Sequence, residues 1–279
     1  MRSGVEAIQD SSYLSDRWSG PFLVDDKHKV IYCGLEKVAS SSWKMILMQL
    51  SGHVLSDDHW HDADHREIHL KSVLREVGIR GLQEYTAAEI THRLANYTKF
   101  LFVRHPVDRL LSAFRDKFEK AGPGSYFYQR YGSDIINGHR QLKSEDEVLM
   151  VSFAELVRFI TEHHVFDPHW DVYYEVCLPC FMNYTYVGHM ENFVEDVSYI
   201  LKAVFGAEFK NFPQINIINK QRRNILSQYL HTLSASELKS LNEVYDIDMQ
   251  IFGYHHITEN GNISMISSLH QKENLIAEI

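Results

Sequence analysis

The sequence predicts an α/β fold in which a central, mostly parallel sheet is flanked by helices. Three observations carry that prediction. Two short apolar runs, Lys29–Cys33 (KVIYC) and Phe100–Val103 (FLFV), are rich in β-branched and aromatic residues and read as buried strands. Each leads within a few residues into an amphipathic helical run, WKMILMQL after the first and PVDRLLSAFRDKFE after the second, so the strand–turn–helix unit occurs twice. The chain has 279 residues, 44% hydrophobic and 23% charged, which is enough for one domain with a full core. No repeat of fixed period and no low-complexity linker interrupts it.

In chain order, residues 1–27 show little periodicity and read as an irregular lead-in, with the domain expected over 28–256 and a loosely held tail over 257–279. The first strand runs into the turn Gly34-Leu35-Glu36-Lys37. Ser40, Ser41 and Ser42 then precede a helix that stops at Ser51-Gly52. Three consecutive hydroxyls at a helix start are expected to cap it and to donate to a phosphate, with Lys37 adding a point charge at the same place. The stretch 53–77 is rich in His and Asp. His59, His61, His65 and His69 invite a metal-site reading, but HREIH sets its glutamate one place too late for the HExxH arrangement, so a solvated loop is expected. Thr86–Asn96 opens on a Thr-x-x-Glu capping box and predicts a helix.

The stretch Lys99–Glu119 organises the rest. Arg104 stands where its strand leaves the sheet, and Pro106 suits a helix's first turn, where its missing N–H costs nothing. Leu110, Leu111, Phe114 and Phe118 recur at helical spacing, and Arg109, Arg115, Asp116 and Lys117 are expected to fill most of the opposite face. Arg104, the helix N-terminus and Ser112 would together form an anion pocket; an ordinary βα unit with a surface arginine is the plain alternative. The earlier Lys37 and serine unit favours the pocket, because two such sites are what a nucleotide with phosphates at both ends requires.

Beyond this, Gly122–Glu147 is too polar for core and too aromatic for a mere linker. Either Tyr126, Phe127, Tyr128 and Tyr131 offer stacking faces to a glycan, or the excursion is packed by its own aromatics. A helix is expected over Val151–His163, a strand over Tyr184–Val187 and a helix over Glu191–Val204, with Glu191 placed for capping. Asn219–Arg223 (NKQRR) is either a solvated face or a cofactor or glycan contact. Ser234–Phe252 begins with a cap and a Glu three residues on, and stops at Gly253. Of three cysteines, Cys177 and Cys180 could pair with each other, or one of them with Cys33. Sequons at Asn96, Asn183 and Asn262 are compatible with a secretory route. No apolar run of eighteen residues and no signal peptide is read in the sequence. The formal charge of −9 would be offset in a mildly acidic lumen by the 17 histidines.

These segments resemble the two nucleotide-binding motifs of Golgi carbohydrate sulfotransferases, the group that contains the HNK-1 and the chondroitin/dermatan 4-O-sulfotransferases. Residues 36–44 are similar to the family's Pro-Lys-x-x-x-Ser/Thr-Asn-Trp-Lys motif. Residues 102–118 follow its Phe-Val-Arg-x-Pro-x-x-Arg-Leu-x-Ser-Ala-Tyr/Phe-Arg-Asp-Lys-Phe motif nearly without a break. Further matches are the stretch upstream of Phe102, the His169-Trp170 pair, Cys177-x-x-Cys180, the Val187-Gly188-x-x-Glu191 segment and the closing Asp248-x-x-x-Phe252-Gly253-Tyr254. The resemblance implies a P-loop-like sulfotransferase fold and the sulfate donor PAPS, with no metal. Lys37 would act on the leaving group, Ser40, Ser41 and Ser42 would hold the 5′ end, and Arg104 and Ser112 the 3′-phosphate. His169 is the first choice of catalytic base, Glu191 and His105 are its rivals, and simple packing beside Trp170 is the alternative for His169. The resemblance further implies a structural disulfide, location in the Golgi lumen, a membrane anchor that is not seen in this sequence, and a glycosaminoglycan or glycoprotein glycan acceptor, with a chondroitin-like GalNAc 4-hydroxyl foremost. Three positions depart from the pattern. Glu36 replaces the proline and would repel a polyphosphate if it pointed inward, Ser42 replaces an asparagine, and His105 replaces an acidic residue and adds positive charge. A nucleotide kinase lacks support because GxxxxGK[ST] is absent; a non-catalytic glycan-binding relative is the other competitor.

Overall fold

The computed structural model describes residues 21–52, 71–138, 150–165, 167–206 and 220–258. The chain divides into two compact units, each built from two segments: Met1–Val103 with Tyr173–Ile217, and Arg104–Val172 with Ile218–Ile279.

The first unit holds the sheet. Its strands are β1 (Phe22–Asp25), β2 (Val30–Cys33), β3 (Ile79–Gly81), β4 (Thr98–Val103) and β5 (Tyr186–His189), side by side in the order β3-β1-β2-β4-β5. β2, β4 and β5 pair in parallel, and β1 is antiparallel to both β2 and β3, so four of the five strands point the same way. β2 is buried at every position and β4 at all but its first, as strands covered on both faces must be. Trp43, from the helix Ser40–Leu50, sets its ring 4.7 Å from Phe100 and 5.2 Å from Phe102, which fixes that helix on the strands. The helix Ala87–Asn96 has the expected capping box, with Thr86 accepting from the Glu89 N–H.

Several sequence expectations shift here. β1 lies inside the supposed irregular lead-in. Four residues are too few to show a period, and they become a strand by pairing with β2 and β3 together. β5 starts at Tyr186 rather than Tyr184, whose buried hydroxyl donates instead to the Cys177 carbonyl at 2.6 Å. Within β5, a Cβ at Gly188 would come within 2.4 Å of the Phe102 ring, so the strand tolerates no side chain there. The helix that follows spans Phe193–Phe205. The cysteine alternatives resolve as Cys33–Cys177, both buried, while Cys180 is free and exposed.

The second unit is helical. It contains Pro106–Phe114, continued by a π-turn at Arg115–Glu119; a π-turn at Tyr128–Gly132 leading into Ser133–Asn137; and the helices Phe153–His163, Lys220–Leu230, Ala235–Val244 and Asp246–Phe252. Ser152 and Ser234 each cap their helix in a box with Glu155 and Glu237. The single helix expected over 234–252 is interrupted at Tyr245, whose buried hydroxyl donates to the Trp170 carbonyl at 2.6 Å. That tertiary bond outweighs the continuous helical pattern. At the start of the expected tail, the Asn242 amide holds both the N–H and the carbonyl of Ile257. The histidine-rich stretch 59–69, residues 139–147 of the aromatic excursion, Asn262 and the tail from 259 lie outside the described residues.

Candidate functional site

β2 and β4 are parallel neighbours, with Cys33 opposite Leu101, so both strands end at the same edge of the sheet. The crevice outside strand carboxyl ends is where open α/β sheets take ligands.

After β2 the backbone is forced. Lys37 and Ala39 both have positive φ, 70° and 63°, in a region that side-chain-bearing residues avoid at a cost of about 1–3 kcal/mol. A chain that changes hand in this way turns successive N–H groups inward, the geometry of an anion cradle. Ala39 is the N-cap of the helix Ser40–Leu50; no side chain caps it, and its first turn carries no acid. The expectation that the three serines cap this helix is therefore corrected. A cap needs an extended residue before the first turn, and the serines already lie inside it. Ser40 and Ser42 are buried, whereas Lys37 and Ser41 are partly exposed. The Ser40 hydroxyl donates to Glu36 at 3.1 Å, and the other Glu36 oxygen lies 3.5 Å from Lys44 Nζ, so this acidic departure is balanced locally. The residues fit a bound phosphate: a left-handed turn, an uncapped helix start and an ammonium group.

The segment after β4 is organised differently. Arg104 is 1% exposed and its Nε pairs with the Asp108 carboxylate one turn ahead. His105 is the N-cap of Pro106–Phe114. Its Nδ1 accepts from the Val107 N–H at 3.3 Å and its Nε2 donates to the His255 carbonyl at 3.1 Å. Burial pushes the His105 pKa down to about 4; the Arg104 charge acts the same way and the His255 bond opposes it. Burial thus disfavours the charged form of His105, against the expectation that it adds positive charge, and both ring nitrogens are engaged within the fold. Arg109, expected on an outer face, is also buried; it donates to the carbonyls of Asp171 and, at 2.8 Å, Pro168. Helical spacing could not show this, since here the polar side of the helix is enclosed too. Ser112 is partly exposed.

The strand of chain that Arg109 grips carries His169. The His169 Nδ1 donates to Asp167 Oδ1 at 2.6 Å, its backbone N–H donates to the same oxygen at 3.1 Å, and the Tyr131 hydroxyl donates to Oδ2 at 2.9 Å. Burial pushes the Asp167 carboxyl up, but the bonds from His169 and Tyr131 outweigh it and hold the group below its usual range. The same contact, added to burial, pushes the Tyr131 hydroxyl up to about 12. Phe127 stands edge-on to His169 with ring centroids 5.0 Å apart. Trp170 Nε1 donates to Val165, and Tyr245 holds the Trp170 carbonyl, so the segment is fixed on several sides. Glu191, the rival base, sits partly buried in the Met190–Asn192 turn of the first unit.

Of the four candidate stacking aromatics, Tyr128 and Tyr131 are buried and Phe127 is half-buried, which corrects three of them to packing. Tyr126 alone is open, 60% exposed, with Arg130 donating to its hydroxyl at 2.7 Å. Among the described residues no group of three or more His, Cys, Asp or Glu side chains is placed to hold a metal, and no helix is long and apolar enough to cross a membrane. The side chains of residues 220–223 lie outside the description. Sequence reasoning missed Asp108, Asp167, the inward role of Arg109 and the bond from Tyr131 to Asp167, having read Tyr131 only as a stacking or packing ring. Only Asp167 left a local signal, an acid two residues before the histidine, the spacing at which an Asp side chain reaches a following N–H.

The profile of the Sulfotransferase family matches residues 20–255. The chain is 33% identical over 240 residues to carbohydrate sulfotransferase 11 of Rattus norvegicus, covering 83% of this chain and 66% of that protein. It is 36% identical over 241 residues to carbohydrate sulfotransferase 9 of Homo sapiens, covering 83% and 52%. With carbohydrate sulfotransferase 10 of Gallus gallus the figures are 31% over 258 residues, 88% and 68%. The chain therefore spans between about half and two thirds of the length of these relatives. No solved structure matches it.

Proposed function

The chain belongs to the sulfotransferase family, and from that premise we propose that it moves a sulfuryl group from PAPS to a glycan hydroxyl in the Golgi lumen. The observation that carries the proposal is the turn 36–39, with Lys37 and Ala39 left-handed ahead of an uncapped helix start. PAPS supplies an activated sulfuryl group whose departure leaves charge on a phosphate oxygen. Lys37 meets that charge, and the backbone N–H groups and serines 40–42 of the first helical turn hold the 5′ end. Arg104, oriented by Asp108, and Ser112 hold the 3′-phosphate. His169 takes the proton of the acceptor hydroxyl on Nε2, because Nδ1 is committed to Asp167. No metal is assigned a role.

The acceptor we propose is a chondroitin-like glycosaminoglycan, with a GalNAc 4-hydroxyl as the target. Tyr126 gives an open ring for a sugar face, and Arg130 beside it a cation for a uronic carboxylate. The Cys33–Cys177 bridge supports an oxidising compartment such as the Golgi lumen. The test is transfer of radiolabelled sulfate from PAPS to desulfated chondroitin and dermatan. Transfer by the wild type that is lost in Lys37→Ala is the expected result. Absence of transfer together with absence of calorimetric binding of PAP, the desulfated cofactor, would overturn the catalytic reading and leave a glycan-binding protein on this fold.

A further inference from the structure

We propose that Asp167 is a positioning residue that, with Tyr131, fixes the tautomer and the direction of the His169 imidazole. The inference rests on the reading of His169 as the base and adds the device that makes it one.

A neutral imidazole carries one proton on either nitrogen, and only the bare nitrogen can accept another. Asp167 removes the ambiguity. Its Oδ1 receives two donors from one residue, the ring Nδ1 at 2.6 Å and the backbone N–H at 3.1 Å, so the ring is held relative to its own main chain. A carboxylate only accepts, so the His169 proton must sit on Nδ1 and Nε2 is left bare for a hydroxyl proton. The carboxylate is itself fixed from behind by the Tyr131 hydroxyl at 2.9 Å, and Phe127 closes one side of the ring. When Nε2 gains a proton, the new positive charge faces a carboxylate that is buried and already ionised.

Other charged groups on the elements packed here are Arg109, whose guanidinium donates to the Pro168 and Asp171 carbonyls, and two cations on neighbouring turns. Arg130 lies over the Tyr131 ring at 5.1 Å and Lys117 over the Phe127 ring at 5.3 Å. Both cations sit over rings that touch the Asp167–His169 pair. The loop is held by other bonds as well: Arg109 on Pro168 and Asp171, the Trp170 indole on Val165 and Tyr245 on the Trp170 carbonyl.

Two substitutions separate geometry from charge. In Asp167→Asn the amide oxygen can keep both His169 donors and turn its NH2 toward the Tyr131 oxygen, so the tautomer survives and only the countercharge is lost. In Asp167→Ala both are lost. The readouts are kcat and KM for sulfate transfer from PAPS to desulfated chondroitin, and the 15N shifts of the labelled His169 ring, which report the tautomer without any turnover. Expected are a kcat about 10-fold lower in the Asn variant and about 100-fold lower in the Ala variant, with KM for either substrate within about twofold. The 15N spectrum should show Nε2 bare in wild type and Asn variant and a mixture in the Ala variant. A folded Ala variant that keeps the wild-type tautomer and a kcat within threefold overturns the inference. Retention of activity by His169→Ala would remove the base assignment instead, and the 15N comparison would still decide whether Asp167 sets the ring.

Discussion

The chain uses the strand–turn–helix unit twice, and the two copies have opposite characters. After β2 the turn is left-handed at Lys37 and Ala39, the helix start lacks a side-chain cap and a first-turn acid, and Lys37 is partly exposed. After β4 the cation is buried against Asp108, the helix is capped by a neutral histidine, and a proline occupies its first position. The first copy holds a partly exposed left-handed turn ahead of a helix start with no side-chain cap. The second holds a packed junction whose arginine is buried against a carboxylate. Similar residue types at similar spacing thus do not mean similar readiness to bind, because burial and local partners decide how much of a charge is left for a ligand.

That contrast can be broken by experiment. The largest effect is expected from Arg104→Met, which leaves the Asp108 carboxylate buried without its ion-pair partner. It should cost about 4 kcal/mol in urea unfolding, and adding Asp108→Asn should restore most of it while PAP binding stays lost. If the double variant binds PAP like wild type, the second copy is purely structural. Lys37→Ala should leave urea stability within about 0.5 kcal/mol yet lower kcat by about 100- to 1,000-fold, as loss of one preorganised donor to a developing anion does. Lys37→Gly, which relaxes the left-handed backbone, should lose activity equally while gaining stability. Equal activity of Lys37→Ala and wild type would move the leaving-group role elsewhere.

His105 gives the second copy a pH signature. Its folded pKa of about 4 lies below the unfolded value of about 6.5, so between those values the unfolded chain binds the extra proton. Stability from this residue is complete above pH 6.5 and falls by roughly 3 kcal/mol as pH drops to 4. Urea midpoints across that range should show the decline in wild type and a much flatter profile in His105→Asn, which keeps a capping side chain. An identical slope in the two proteins would mean the ring is not held neutral. The smallest effect is expected at Glu36. Its carboxylate is partly solvated and shared between Lys44 and Ser40, so Glu36→Gln should tighten PAP binding only about two- to fivefold by calorimetry. A larger gain would show that Glu36 faces the cradle more than its partners do.

Much was legible without coordinates. The strands at Lys29–Cys33 and Phe100–Val103, the capped helices at Thr86 and Ser234 and the proline-led helix at Pro106 follow from short-range rules: apolar runs, box residues three apart, a fixed φ. Membership of the sulfotransferase family was readable in the same stretches. Those features depend on neighbours in sequence, and the sequence by itself determined them. What it could not contain is which distant atom meets which. β1 exists because two other strands flank it, and the C-terminal helix breaks because Tyr245 reaches Trp170. Arg109 faces inward because two carbonyls wait for it, and Cys33 pairs with Cys177, 144 residues away, rather than leaving Cys177 to its neighbour Cys180. The charge states at the candidate site belong to the same class. Burial lowers the His105 pKa, while bonds from His169 and the distant Tyr131 lower that of Asp167 against burial, and burial and the Tyr131 contact arise only when the tertiary structure brings the groups together.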